Sequence, residues 1–317
     1  MRLQVVIVTP ANADANNGNW RTARRWARFL AGDYRVRLAQ EWSDGDEALM
    51  IALHARRSAA SIAAWRARHP RRPLVLVLTG TDLYRDIAVD GSAQHSLALA
   101  DRLVVLNERG PAALPAQFRS KAVVILQSSP GRSRAAKTRR LLRVVMVGHL
   151  RDEKCPETFF DVARRLAGRP DIVFEHVGDA LDPTLAAEAR ALVAQDPRYR
   201  WFGPLSHRQT LARIRAAHVL VHPSCIEGGA HVVIEAVRNG TAVLASRIDG
   251  NVGLLGEDYG GYFPVGDSAA LAALLQRMRD DPQALQTLQA QCDARAALFD
   301  PGRESAALRS MVSSLLR

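Results

Sequence analysis

Residues 219–240 read VLVHPSCIEGGAHVVIEAVRNG. The run 219–222 is apolar on successive positions rather than alternating, as in a strand buried on both faces of a parallel sheet. A short loop with Gly228 and Gly229 follows. A helix then runs to Asn239-Gly240, a pair that stops helices. Strand, tight loop and helix make one βα unit. Working outward, comparable apolar runs stand at 142–147, 172–177, 199–202 and 242–245. In the first half they stand at 3–8, 48–53, 74–78, 103–106 and 123–126. Helical patterns such as 20–30 and 58–68 lie between the runs, so the alternation predicts parallel α/β layers.

The rhythm breaks at 127–140, a polar, basic, turn-rich stretch that reads as a linker. The expected organisation is therefore two Rossmann-like domains, 1–138 and 139–300. A last helix, 301–317, is expected to pack back on the first domain. Ligands of such sheets bind beyond the carboxyl ends of the strands. Two sheets facing a central cleft would line it with those loops.

The bulk composition narrows the function classes. The chain has 317 residues, 48% of them apolar, which is enough for two cores. The net charge is +11, yet all but three of the 43 basic residues are arginine. With alanine also abundant, this reads first as arginine on solvated surface. An anionic substrate or an acidic lipid surface would also suit it. No RNA-binding aromatic motif or zinc-finger spacing supports nucleic acid. Cys155, Cys225 and Cys292 form no metal-ligand pattern and no disulfide framework, which fits reduced thiols in a cytoplasm. Residues 1–9 are too short for a signal peptide and read as a first strand. No apolar run has the length of a membrane span, and no stable membrane association is expected.

Two constellations carry chemistry in the second half. Glu227 sits in the loop after 219–222, and Glu235 lies on the following helix, two turns in by the sequence reading. Gly228 and Gly229 would let backbone approach a ligand. The helix N-terminus offers N–H groups and a positive dipole end to a diphosphate. One carboxylate can accept hydrogen bonds from ribose hydroxyls and the other from a hexose. The second constellation is Gly148-His149-Leu150-Arg151-Asp152-Glu153-Lys154, whose basic groups can neutralise a leaving diphosphate. On spacing alone, a loop glutamate with a solvated helix glutamate, and a solvated basic loop, account for these residues equally well.

Together, in this order, the two elements resemble glycosyltransferase family 4 of the GT-B fold. Glu227 and Glu235 match its Glu-x7-Glu motif, and Lys154 matches the lysine of its Gly-Arg…Lys-Gly segment. His149 stands at the arginine place, Arg151 lies two residues on, and Cys155 replaces the glycine. The resemblance implies Glu235 on ribose, Glu227 on the donor sugar and catalytic, and Lys154 on the diphosphate. His149 or Arg151 would assist, and no metal or other cofactor is expected.

The first half resembles a narrower group, the selenosugar synthases of the SenB type. The matching segments include Asn16-Asn17-Gly18-Asn19, Leu53-His54-Ala55-Arg56-Arg57, Leu78-Thr79-Gly80-Thr81-Asp82, residues 246–259 and residues 261–267. This resemblance runs nearly end to end. It implies joining selenium from selenophosphate to the anomeric carbon of UDP-N-acetylglucosamine or UDP-glucose. The product would pass to a later enzyme of selenoneine synthesis. Thr79 stands where many family members carry histidine. An anionic, soft nucleophile needs little general base, so that change is tolerable. It needs cations and N–H donors for its oxygens instead. Candidates are Asn17, Gly18, Arg21, His54, Arg56, Arg57, Thr79, Gly80, Thr81 and Arg85, with the Gly80-Thr81 backbone as a nest. Asp82 could cap the helix starting nearby or touch substrate, and capping is the first reading. The alternatives are a family 4 transferase with a lipid or sugar acceptor, its basic helix 20–30 docking on a membrane, and a non-catalytic basic scaffold.

Overall fold

The computed structural model describes residues 2–10 and 18–317. The chain forms two compact units. The first comprises 1–128, 227–229 and 301–317; the second comprises 129–226 and 230–300. Residues 129–138 therefore group with the second unit, and three residues of the 219–240 stretch group with the first.

The first unit carries six parallel strands: β1 (Gln4–Val8), β2 (Arg35–Ala39), β3 (Leu49–Leu53), β4 (Leu74–Leu78), β5 (Arg102–Val105) and β6 (Ala122–Val124). Their order is β2-β1-β3-β4-β5-β6. The chain steps outward from β1 to β2, then returns past β1 to β3, so the winding reverses between β1 and β3. Central strands β3 and β4 are buried at every position, which is why they read as continuous apolar runs. One face packs Ile62, Trp65, Ala93 and Leu97. The other packs Ala23, Trp26 and Leu30 of the helix Gly18–Leu30 beside Leu308, Met311 and Val312 of the helix Pro301–Leu315.

Glu304 anchors that last helix. Its buried carboxylate accepts from Arg25 Nε (2.8 Å), Arg25 Nη2 (3.0 Å), Trp26 Nε1 (2.7 Å) and the Ser128 N–H (2.8 Å). A carboxylate so enclosed is tolerable only because each lone pair is met.

The second unit carries β7 (Leu142–Val147), β8 (Ile172–Val177), β9 (Tyr199–Trp201), β10 (Val219–His222), β11 (Ala242–Ser246) and β12 (Tyr262–Phe263), again all parallel. The order is β12-β11-β10-β7-β8-β9. Here the winding reverses between β7 and β10, and the two constellations follow those two strands. No helix among the described residues is long and apolar enough to cross a membrane.

Three details differ from the sequence reading. Strands β2 and β12 escaped it. β2 lies at a sheet edge, is only partly buried and alternates arginine with apolar residues, so it lacks a continuous apolar run. β12 has two residues. The 127–140 stretch has no regular structure, but it is not a solvated tether. Gln127, Ser128 and Ser129 are buried, and Lys137 Nζ donates to the Gly240 carbonyl at 2.9 Å.

Candidate functional site

In the second unit, the loop after β7 is held from beneath. The His176 ring is fully buried; its Nε2 lies 3.0 Å from the Gly148 carbonyl and its Nδ1 2.9 Å from the Tyr199 hydroxyl. Burial pushes this imidazole down to about 4, so it is neutral near pH 7 and donates through Nε2 while accepting from tyrosine. Gly178 lies against the same carbonyl. A Cβ there would stand 1.8 Å from Gly148 O, so only glycine fits. The Lys154 stem lies over Gly148 in ordinary contact. His149 Nδ1 accepts the Asp179 N–H at 3.0 Å, tying the loop to the end of β8. Arg151 is exposed, with Nε 3.8 Å from Glu153 Oε2.

Cys155 follows Lys154 with φ of 44°, the left-handed region that explains glycine in the resembling segment. Cys225 donates its N–H to Glu153 O at 3.1 Å. The loops after β7 and β10 thus touch, as neighbouring strands require. Burial and the Cys225 thiol push the Cys155 thiol up to about 12.

Glu235 is the fifth residue of the helix His231–Arg238, closer to its start than the sequence reading placed it. It is 2% exposed. Its Oε1 receives His207 Nε2 at 2.6 Å and His231 Nδ1 at 3.1 Å. Burial opposes its charge, but the two imidazole hydrogen bonds prevail and hold it well below the usual carboxylate range. His231 precedes Glu235 by one turn, a spacing visible in the sequence. His207 and His176 lie too far away in the chain for any sequence spacing to reveal them.

Glu227, half-buried, belongs with Gly228 and Gly229 to the first unit. Both glycines are pressed against neighbouring atoms of the first unit on the side where a Cβ would stand. A Cβ on Gly228 would meet the Thr79 carbonyl at 2.5 Å and Gly80 N at 2.6 Å. One on Gly229 would meet Leu106 Cβ at 2.7 Å. Asn107 Nδ2 donates to Gly228 O at 2.6 Å. The glycine pair serves close backbone packing at the ends of β4 and β5.

Most of the acceptor-side residues lie beyond the carboxyl ends of the neighbouring strands β3 and β4. His54 follows β3 with φ of 75°, an unusual conformation for a non-glycine residue. Its ring is buried, with Nε2 3.2 Å from Thr81 Oγ1 and 3.9 Å from Asp86 Oδ2. Burial lowers its pKa against the raising effect of Asp82 and Asp86, so it is neutral near pH 7. Arg56 Nε and Arg85 Nε both pair with Asp86, at 2.9 and 3.3 Å. His54, Arg56 and Arg85 are thus gathered around one carboxylate, with the Thr81 hydroxyl on the His54 ring. Arg57 is exposed beside them, its N–H 3.4 Å from His54 Nδ1. Thr79 is half-buried. Gly18 and Arg21 open the helix after β1, and a Cβ on Gly18 would meet none of the described residues. Asn17 lies outside the described residues.

Asp82 caps no helix. Fully buried, it accepts the N–H groups of Thr79 (2.8 Å), Gly80 (2.9 Å) and Ala55 (2.9 Å). It locks the β3 and β4 loops together and takes the Gly80 N–H that the nest reading had offered to an anion.

Residues 132–297 match the model of the glycosyl transferases group 1 family. No curated protein matches the chain in sequence at a significant level. Several solved structures share its fold over nearly the full length. Sucrose-phosphate synthase from Thermosynechococcus elongatus is 19% identical, with 99% of each chain covered and a TM-score of 0.79. HepE from Anabaena, solved in complex with UDP-glucose, is 16% identical, with 99% of this chain and 100% of that one covered and a TM-score of 0.78. A glycosyltransferase from Rickettsia africae is 12% identical, with 100% and 99% covered and a TM-score of 0.75. At these identities the likeness establishes the fold, two Rossmann-like domains of the GT-B kind. The family match spans more than half of the sequence, and the chain belongs to the glycosyl transferases group 1.

Proposed function

We propose that this glycosyltransferase carries a hexosyl group from a UDP-sugar, UDP-N-acetylglucosamine or UDP-glucose, to the selenium of selenophosphate. Selenium attacks the anomeric carbon as the bond from that carbon to the diphosphate oxygen breaks. UDP leaves, and water then cleaves the P–Se bond, giving a selenosugar and phosphate. Glu235 accepts from the ribose and Glu227 from the hexose. Lys154 and Arg151 neutralise the leaving diphosphate with the N-terminus of the helix His231–Arg238. His149 steadies their loop through Asp179.

The observation that carries the acceptor assignment is the absence of a base where one is common. Thr79 stands at the histidine place, while Arg56, Arg57 and Arg85 present guanidinium groups on the neighbouring loops. That suits an acceptor that arrives already anionic and needs holding rather than deprotonation. The resemblance to selenosugar synthases supports the same reading. HepE, solved with UDP-glucose, supports the donor class. The protein is proposed to work in the cytoplasm, without a metal, a membrane or nucleic acid, and to hand its product to a later enzyme.

The test mixes the protein with UDP-N-acetylglucosamine or UDP-glucose and selenophosphate, with EDTA present, and follows UDP release and product mass. A selenosugar with equimolar phosphate is expected. Turnover with a sugar or lipid acceptor and none with selenophosphate would overturn the acceptor. Activity abolished by EDTA and restored by a divalent metal would overturn the metal-free mechanism.

A further inference from the structure

We propose that His207 is a positioning residue that occupies the place of a ribose hydroxyl on Glu235 and yields it when the nucleotide arrives, whereas His231 is a permanent partner. The inference rests on the reading of Glu235 as the ribose acceptor. Both imidazoles meet the same oxygen, Oε1. Among the described residues no donor reaches Oε2. The carboxylate is therefore loaded on one side and open on the other.

The two histidines are held differently. His231 shares the helix of Glu235 at the i, i+4 spacing, and its side chain is mostly buried. The helix itself fixes that hydrogen bond. His207 is the first residue of a separate helix, His207–Ala216, closed by a Ser206–Gln209 capping box. Its backbone is fixed by that box, but its side chain is 51% exposed. The imidazole can rotate into solvent at the cost of one hydrogen bond.

A ribose presents two adjacent hydroxyls and engages both oxygens of a carboxylate. Oε2 is open to the first. Oε1 already serves two donors and must release one to accept the second. The exposed imidazole is the one free to leave. A 2′-deoxyribose presents one hydroxyl, takes Oε2 and leaves His207 in place. In the free protein His207 keeps a buried carboxylate partnered and aimed. In the complex it has given up its position.

The consequence is opposite in sign for the two histidines. Removing His207 spares the nucleotide a competitor; removing His231 frees the carboxylate to turn. UDP and 2′-deoxy-UDP are titrated calorimetrically into the wild-type protein, His207→Ala, His207→Gln and His231→Ala, with thermal melts as the folding control. His207→Ala is expected to bind UDP about threefold to tenfold tighter, the worth of one hydrogen bond. Its preference for UDP over 2′-deoxy-UDP should widen by a similar factor. His207→Gln, which restores an N–H on a side chain of similar reach, should return both values toward wild type. His231→Ala should weaken UDP by about tenfold and narrow the preference. Weaker UDP binding by His207→Ala, or an unchanged preference, overturns the proposal. A wild-type protein that binds the two nucleotides alike overturns the ribose role of Glu235 itself, and with it this inference.

Discussion

Both units place buried carboxylates just beyond the carboxyl end of a central strand, β4 in one and β10 in the other, but they use them in opposite ways. At the end of β4, Asp82 is saturated by three backbone N–H groups, and Asp86 is shared between two arginines. After β10, Glu235 is equally enclosed, yet its partners are two imidazoles on one oxygen. Backbone N–H groups cannot move aside without unmaking a loop. Imidazoles can. On the proposed reading, the same residue class is scaffold in one unit and a ligand acceptor in the other. Burial alone does not tell them apart; the mobility of the partners does.

The largest expected effect tests the scaffold half. Asp82→Ala leaves three backbone N–H groups unmet and should lower stability by about 3 kcal/mol or more. Chemical denaturation checks this. A loss below about 1 kcal/mol would erase the distinction. Next come the two glutamates. Glu235→Ala should weaken UDP binding by about tenfold or more, read by titration, while Glu227→Ala should mainly lower turnover. Equal effects on binding and turnover in both variants would show that the carboxylates are not divided in role.

A third prediction concerns His176, which burial pushes down to about 4 from an ordinary 6.5. The unfolded chain then binds the proton more readily than the folded one. Stability held at neutral pH is lost as pH falls from about 6.5 to about 4, by up to about 3 kcal/mol. His176→Gln should flatten that slope in melts taken across the range. The smallest effect belongs to Arg57→Ala. Its exposed side chain should leave stability within about 0.5 kcal/mol but weaken selenophosphate binding severalfold. An unchanged KM for selenophosphate would remove Arg57 from the acceptor site.

The fold was legible because the central strands are enclosed on both faces and show it as unbroken apolar runs. Edge strand β2 is not so enclosed, and its Arg-Val-Arg-Leu pattern hid it. Glu235 and Lys154 could be picked out because each sits in a short segment whose order follows the chain. The supports of those segments could not. His207 reaches Glu235 across 28 positions and His176 reaches Gly148 across 28. Local pattern carries no record of such contacts. Gly228 and Gly229 were legible as tight backbone but not as to what presses on them, because an absent side chain does not name its neighbour. Asp82 failed for a related reason: helix-capping chemistry and loop-locking chemistry use the same residue.

The placement of Glu304 bears on the order in which the chain can fold during synthesis. The helix that carries it completes a face of the first unit, yet it is translated after every residue of the second. On the ribosome, residues 1–128 emerge early with Arg25 and Trp26 still waiting for their carboxylate. The second unit has all its strands before that helix appears. Domains generally mature in the order they are made; here the later one can close first, and the earlier one is sealed by the tail.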